Sequence, residues 1–162
     1  MGGAIPLNFQ AAAERGVRQA LKSGPHGYPV IDVRVTIVDG SSHDVDSSDL
    51  AFEIAGSMAV GEALQKAGTS ALEPMMSVDV VIPEEYVGEV LAGLGAKRAT
   101  IQGTDLRGGS SVIQAEVPLV TMFGYASDLR SATQGRGTFS MEFSHYAVQP
   151  GAGTGQEVLT GV

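Results

Sequence analysis

Apolar residues recur four apart in NFQAAAERGVRQALKSG, at Phe9, Ala13, Val17 and Leu21, and Gly24 follows. That spacing predicts an amphipathic helix with a glycine stop. In VIDVRVTIV the period shortens to two: Ile31, Val33, Val35 and Ile37 alternate with Asp32, Arg34 and Thr36. This predicts a strand over 30–38 with one buried face, ended by the Asp39-Gly40 turn. The loop DGSSHDVDSS leads to Ser47 and Ser48, either able to cap a following helix, while Asp49 suits that helix's positive end. The helix is expected to run to about Lys66 on an apolar stripe of Leu50, Ile54 and Met58, and to close at Gly68.

A junction is expected near Thr69 to Glu73, where the rhythm changes to short strands broken by glycine. EPMMSVDVVIP turns Met76, Val78, Val80 and Ile82 inward. PEEYVGEVLAGLG opens a helix with Pro83 and two carboxylates, sets Val87, Val90, Leu91 and Leu94 on one side, and stops at Gly95. RATIQGT and SSVIQAEVPL are joined by DLRGG as a hairpin of several residues, TMFGYASDLRSATQG reads as a helix, and TFSMEFSHY as a strand. Phe139, Met141 and Phe143 share one face of that strand, and the same alternation puts His145 at the core edge.

The order β-α-β-β-α-β is that of a ferredoxin-like sandwich, two helices over one side of a four-stranded antiparallel sheet. The chain is therefore expected to be α+β: a helix–strand–helix unit over 1–70, a ferredoxin-like domain over 73–148, and a disordered tail over 149–162. One strand buries little by itself, so the first unit is expected to lack neighbouring strands, or to self-associate through the exposed edge.

Composition narrows the chemistry. The 162 residues carry no cysteine, which removes disulfides and thiolate sites and suits the cytoplasm. No apolar run approaches membrane-spanning length, and Pro6 occupies the position where a myristoylation signal wants Ser or Thr. A net charge of −8 argues against gripping nucleic acid by bulk attraction, so any RNA contact must be local. The lysines are Lys22, Lys66 and Lys97, none preceded by glycine, so there is no GK[ST] phosphate loop. No GxSxG or HExxH spacing appears, and neither a catalytic group, a metal site nor a bound cofactor is expected.

Two groups remain. His43, with Ser41, Ser42 and Asp44, lies in a polar loop after the first strand. The ordinary reading is a solvated loop histidine; the alternative is a donor reaching a phosphate or an unpaired base edge. Arg130 and Arg136 flank SATQG, with Ser131 and Gln134 as further donors at a helix-to-strand junction. Solvated surface explains them, and phosphate contact explains them equally if they cluster.

GYPVIDVRVTIVDG, SSHDVDSSDLAFEIAGSMA, LEPMMSVDVVIPEEYVGEVL and AEVPLVTMFGYASDLRSATQGRGTFSMEFSHY resemble the C-terminal part of elongation factor G, and with GGAIP the likeness extends from Gly2 to Tyr146. The resemblance implies that 1–70 is the second half of domain IV, related to a ribosomal protein S5 fold, and 73–148 is domain V. It implies that Ser41, Ser42, His43 and Asp44 meet tRNA and mRNA in the ribosomal A site, and that Arg130, Ser131, Gln134 and Arg136 face ribosomal RNA and ribosomal proteins. This chain would not itself be an enzyme; GTP and magnesium would bind a G domain outside it. Ser42 stands where the family usually has tyrosine, and AGTSALEP lacks the usual lysine and proline. These departures raise the alternative of a paralogue acting in ribosome recycling or protection. A small-molecule regulatory module on the ferredoxin-like fold is the more remote reading.

Overall fold

The computed structural model describes residues 5–43 and 45–151. The chain divides into two compact units between Thr69 and Ser70.

The first unit is a helix pair, α1 (Leu7–Leu21) and α2 (Asp49–Ala67). α1 buries Ala12, Ala13, Gly16 and Val17, and Phe9 stacks on Phe52 of α2 with ring centroids 4.6 Å apart. Arg15 spans the pair, 3.4 Å from Asp49 and 3.6 Å from Glu53. Ser48 is the N-cap of α2 and accepts the Ala51 N–H at 3.1 Å. Ser48→Ala should lower stability by about 1 kcal/mol, read by thermal or urea unfolding; an unchanged midpoint would refute the cap's contribution.

Two expectations for this unit are corrected. The stripe Leu50, Ile54 and Met58 does not face the core of α2: the three are 67%, 51% and 69% exposed. The buried face carries Gly56, Val60 and Leu64, roughly 120° away around the helix. α1 and α2 pack through glycines, where the backbones come closest, so the buried face is the one that permits approach. The second correction concerns 30–38. Val30 donates its N–H to the Leu21 carbonyl at 2.8 Å, and the chain beyond is extended, but among the described residues it joins no sheet. Ile31, Val33, Val35 and Ile37 stay exposed, and Asp32 takes a left-handed φ of 57°. Alternation supplies a face, but a strand also needs a neighbour to receive its N–H and C=O groups.

The second unit is a four-stranded antiparallel sheet in the order β2-β3-β1-β4, from β1 (Leu72–Pro83), β2 (Thr100–Arg107), β3 (Ser110–Pro118) and β4 (Thr138–Val148). Helices α3 (Val87–Ala96) and α4 (Tyr125–Ala132) supply the other half of its core. This is the ferredoxin-like topology. Met76, Val78, Val80 and Ile82 are buried as their alternation predicts, against Ile113, Ala115 and Val117 of β3, Val90 and Leu94 of α3, and Leu129 of α4. Each such fully buried aliphatic side chain contributes about 1.5–3 kcal/mol. The opposite face is mixed: Ser77 is paired to Glu116 and Glu142, and Asp79 to Gln114 and Ser140, while Val81 is paired to Val112 and Thr138.

Details depart from the sequence reading. Arg107 and Ser110 pair directly, so the hairpin turn is only Gly108-Gly109, both at positive φ as a primed turn requires. A short 3₁₀ turn, Glu84–Tyr86, precedes α3, and the left-handed residue after it is Arg98 (φ 60°) rather than Gly95. Arg98 is held there by a bidentate pair with the buried Glu73, both contacts 2.9 Å. The segment expected to be one helix over TMFGYASDLRSATQG is split by Gly124 at φ 79°, and α4 spans only eight residues. His145 is not at the core edge. A β-bulge between Met75 and Met76 pairs Phe143 with Met76 but His145 with Met75, so the two fall on opposite faces. His145 lies on the mixed face, 2.9 Å from Ser144 Oγ and 3.7 Å from Glu116.

Candidate functional site

In the first unit the loop begins with Asp39, whose Oδ1 accepts the Gly40 N–H at 2.8 Å. It is then closed by a reciprocal pair: the His43 N–H donates to Ser47 Oγ at 2.8 Å, and the Ser47 N–H donates to the His43 carbonyl at 3.0 Å. Ser48 follows at once as the α2 cap, so one serine fixes the loop and the next fixes the helix it enters. These bonds use the His43 N–H and carbonyl, and neither involves the imidazole. His43 and Ser41 are exposed and Ser42 is half-buried; Asp44 lies outside the described residues. A donor on a short, internally bonded loop loses less conformational freedom on contact than one on a free loop.

In the second unit the turn after α4 is pinned by Thr133, which is fully buried. Its hydroxyl donates to the Leu129 carbonyl at 2.7 Å and accepts the Gly137 N–H at 2.8 Å. Gln134 takes a left-handed φ of 52°, and the Gly135 N–H returns to the Arg130 carbonyl at 2.8 Å. Arg130, Ser131, Gln134 and Arg136 are all exposed on this segment. The two arginines differ. Arg136 bonds Glu85 and the Tyr86 hydroxyl, with its guanidinium carbon 4.8 Å from the Tyr86 ring centroid. Arg130 has no ion pair among the described residues. Sequence reasoning missed the Arg136 partners because Glu85 lies 51 positions away and only the fold brings them together.

His43 and the arginine pair lie in different units, so each group is described by itself. Among the described residues no three His, Asp or Glu side chains converge as metal ligands would. Among them, too, no helix is long and apolar enough to cross a membrane.

Two units of this kind, the first with a pinned polar loop and the second with a pinned arginine turn, match the two C-terminal domains of a translation factor. The family model for elongation factor G, domain IV, matches residues 1–68, and the model for the elongation factor G C-terminus matches 70–154. The chain belongs to the elongation factor G family. It is also similar to a protein from Thermus thermophilus of known crystal structure, with 43% sequence identity, a TM-score of 0.86 and 93% of this chain covered. This chain spans 23% of that protein's length.

Proposed function

We propose that this chain is the ribosome-facing part of an elongation factor G-type translocation factor. The His43 loop occupies the A site against tRNA and mRNA, and the Arg130 turn anchors the second unit on ribosomal RNA or protein. The observation that carries the reading is the His43 loop, where the His43 N–H and carbonyl are both bonded to Ser47 and His43 itself is exposed. The family membership of both units supports the ribosome as partner. The chain's part is steric: it fills space and shifts the population of tRNA positions, while GTP and magnesium bind a G domain elsewhere in the factor. Such work belongs to the cytoplasm.

The anchoring half is tested by ribosome binding over a salt series. Arg130→Ala should weaken binding and reduce the salt slope by about one phosphate contact, because its guanidinium has no ion pair among the described residues. Arg136→Ala should do less to the slope, since Glu85 already neutralises that charge. Superimposable salt curves for Arg130→Ala and the parent would remove the anchoring role.

The paralogue reading rests on two departures from the family pattern, Ser42 in place of the usual tyrosine and AGTSALEP without the usual lysine and proline. A recycling factor would accelerate subunit splitting in place of translocation, so measuring both rates on the same ribosomes separates the two. The exposed row Ile31, Val33, Val35, Ile37 and Val38 leads us to expect weak pairing of this chain with a second copy of itself. Sedimentation velocity should show concentration-dependent association, and a strictly monomeric boundary at high concentration would contradict it.

A further inference from the structure

The arginine turn closes on itself without help from the Arg136 side chain. The buried Thr133 hydroxyl ties Leu129 to Gly137, and the Gly135 N–H returns to the Arg130 carbonyl. The Arg136 guanidinium reaches instead to the 3₁₀ turn before α3. There its Nη2 meets both the Glu85 carboxylate and the Tyr86 hydroxyl, and its carbon lies 4.8 Å from the Tyr86 ring centroid. Nε and Nη1 make no hydrogen bond among the described residues, so one edge of the guanidinium fork stays open.

An ion pair this exposed adds little to stability: the two side chains keep 51% and 59% of their exposure. Its weight falls on charge. With Glu85 in contact, Arg136 offers an approaching phosphate little net attraction, and the carboxylate itself repels the phosphate. Arg130 meets no such competition, having no ion pair among the described residues. Glu84, adjacent to Glu85 and likewise exposed, also makes no ion pair among them. The turn thus holds one cation ready and one withheld, and a single carboxylate does the withholding.

We propose that Glu85 determines how much RNA phosphate the arginine turn engages. Paired, it withholds Arg136 and leaves Arg130 as the strong contact; neutralised, it releases Arg136 as a second one. Tyr86 holds the guanidinium in either state, so release changes charge and not position. Holding back one cation keeps dissociation fast, because an added contact acts mainly on the off-rate. The inference rests on the reading that this turn meets ribosomal RNA.

The test measures binding of the full chain to ribosomes over a salt series, for Glu85→Gln, Arg136→Ala, the two combined, and Glu84→Gln. Glu85 is exposed, so its variant should fold as the parent does. Glu85→Gln should steepen the salt slope by about 0.7–0.9, one phosphate contact, and bind about fivefold tighter at roughly 0.1 M salt. Its gain should vanish in the presence of Arg136→Ala. Glu84→Gln removes the same charge from the same turn without freeing a cation, and should leave the slope unchanged. No binding, or a slope no steeper than the parent's, would overturn the proposal. A gain that survives Arg136→Ala, or an equal gain from Glu84→Gln, would overturn it too, as plain loss of repulsion. Weaker binding by Glu85→Gln would do the same, making the pair a structural staple. The anchoring reading fails separately: a Glu85→Gln gain beside a silent Arg130→Ala would keep this proposal and remove Arg130 as the anchor.

Discussion

Gly16→Ala should unfold the first unit while the second stays intact. A Cβ at Gly16 would lie 1.8 Å from the Glu53 carbonyl oxygen and 2.7 Å from its carbon, both backbone atoms of α2. No rotamer relieves such a clash; the helices must separate, and the small core of Val17, Val60 and Leu64 opens with them. Alanine gains about 1 kcal/mol of helix propensity over glycine. Forced overpacking against backbone costs about 3 kcal/mol or more, so the loss wins. Gly56→Ala, whose Cβ would lie 2.3 Å from the Ala13 carbonyl oxygen, should behave alike. Gly61→Ala is the matched control, in the same helix with nothing within 4 Å, and should stabilise by up to about 1 kcal/mol. Hydrogen exchange read residue by residue distinguishes the cases. Retained protection of the α1 and α2 amides in Gly16→Ala would show that the glycine contact does not hold the pair together.

The same glycines explain what the sequence can and cannot disclose. The alternation Met76, Val78, Val80, Ile82 is legible because a sheet with one covered face imposes period two, and all four are buried. The Ser48 cap is legible because capping is a local rule. The buried face of α2 is not, because hydrophobicity points to Leu50, Ile54 and Met58 while steric access points to Gly56, and no side-chain scale scores the absence of a side chain. The strand expected over 30–38 rests on a real alternation, but pairing depends on a partner that a local pattern cannot reveal. His145 is displaced from its expected face by a single bulge residue, which reverses every facing beyond it. Of the candidate sites, the residue types are visible in the sequence but their restraints are not. The Ser47 closure of the His43 loop could be suspected from a serine four positions on, whereas the Arg136 partners arise only from tertiary contact.

His43→Ala is the second large expected effect, and it falls on a rate. The imidazole is exposed and its backbone bonds are independent of the side chain, so the variant should fold normally. What it should lose is a hydrogen bond to RNA that forms as tRNA and mRNA move, and a bond to a charged or base-edge acceptor is worth about tenfold or more in rate. Ser47→Ala probes the same loop indirectly: the imidazole remains but the His43 N–H loses its partner, so a smaller defect is expected than for His43→Ala.

The most direct measurement is single-turnover translocation by an elongation factor G whose matching C-terminal segment is replaced by this chain, with and without His43→Ala, alongside GTP hydrolysis on the same ribosomes. A translocation rate reduced about tenfold or more with hydrolysis unchanged is the result expected of an exposed donor that acts on RNA. Equal translocation rates for the two proteins would contradict it.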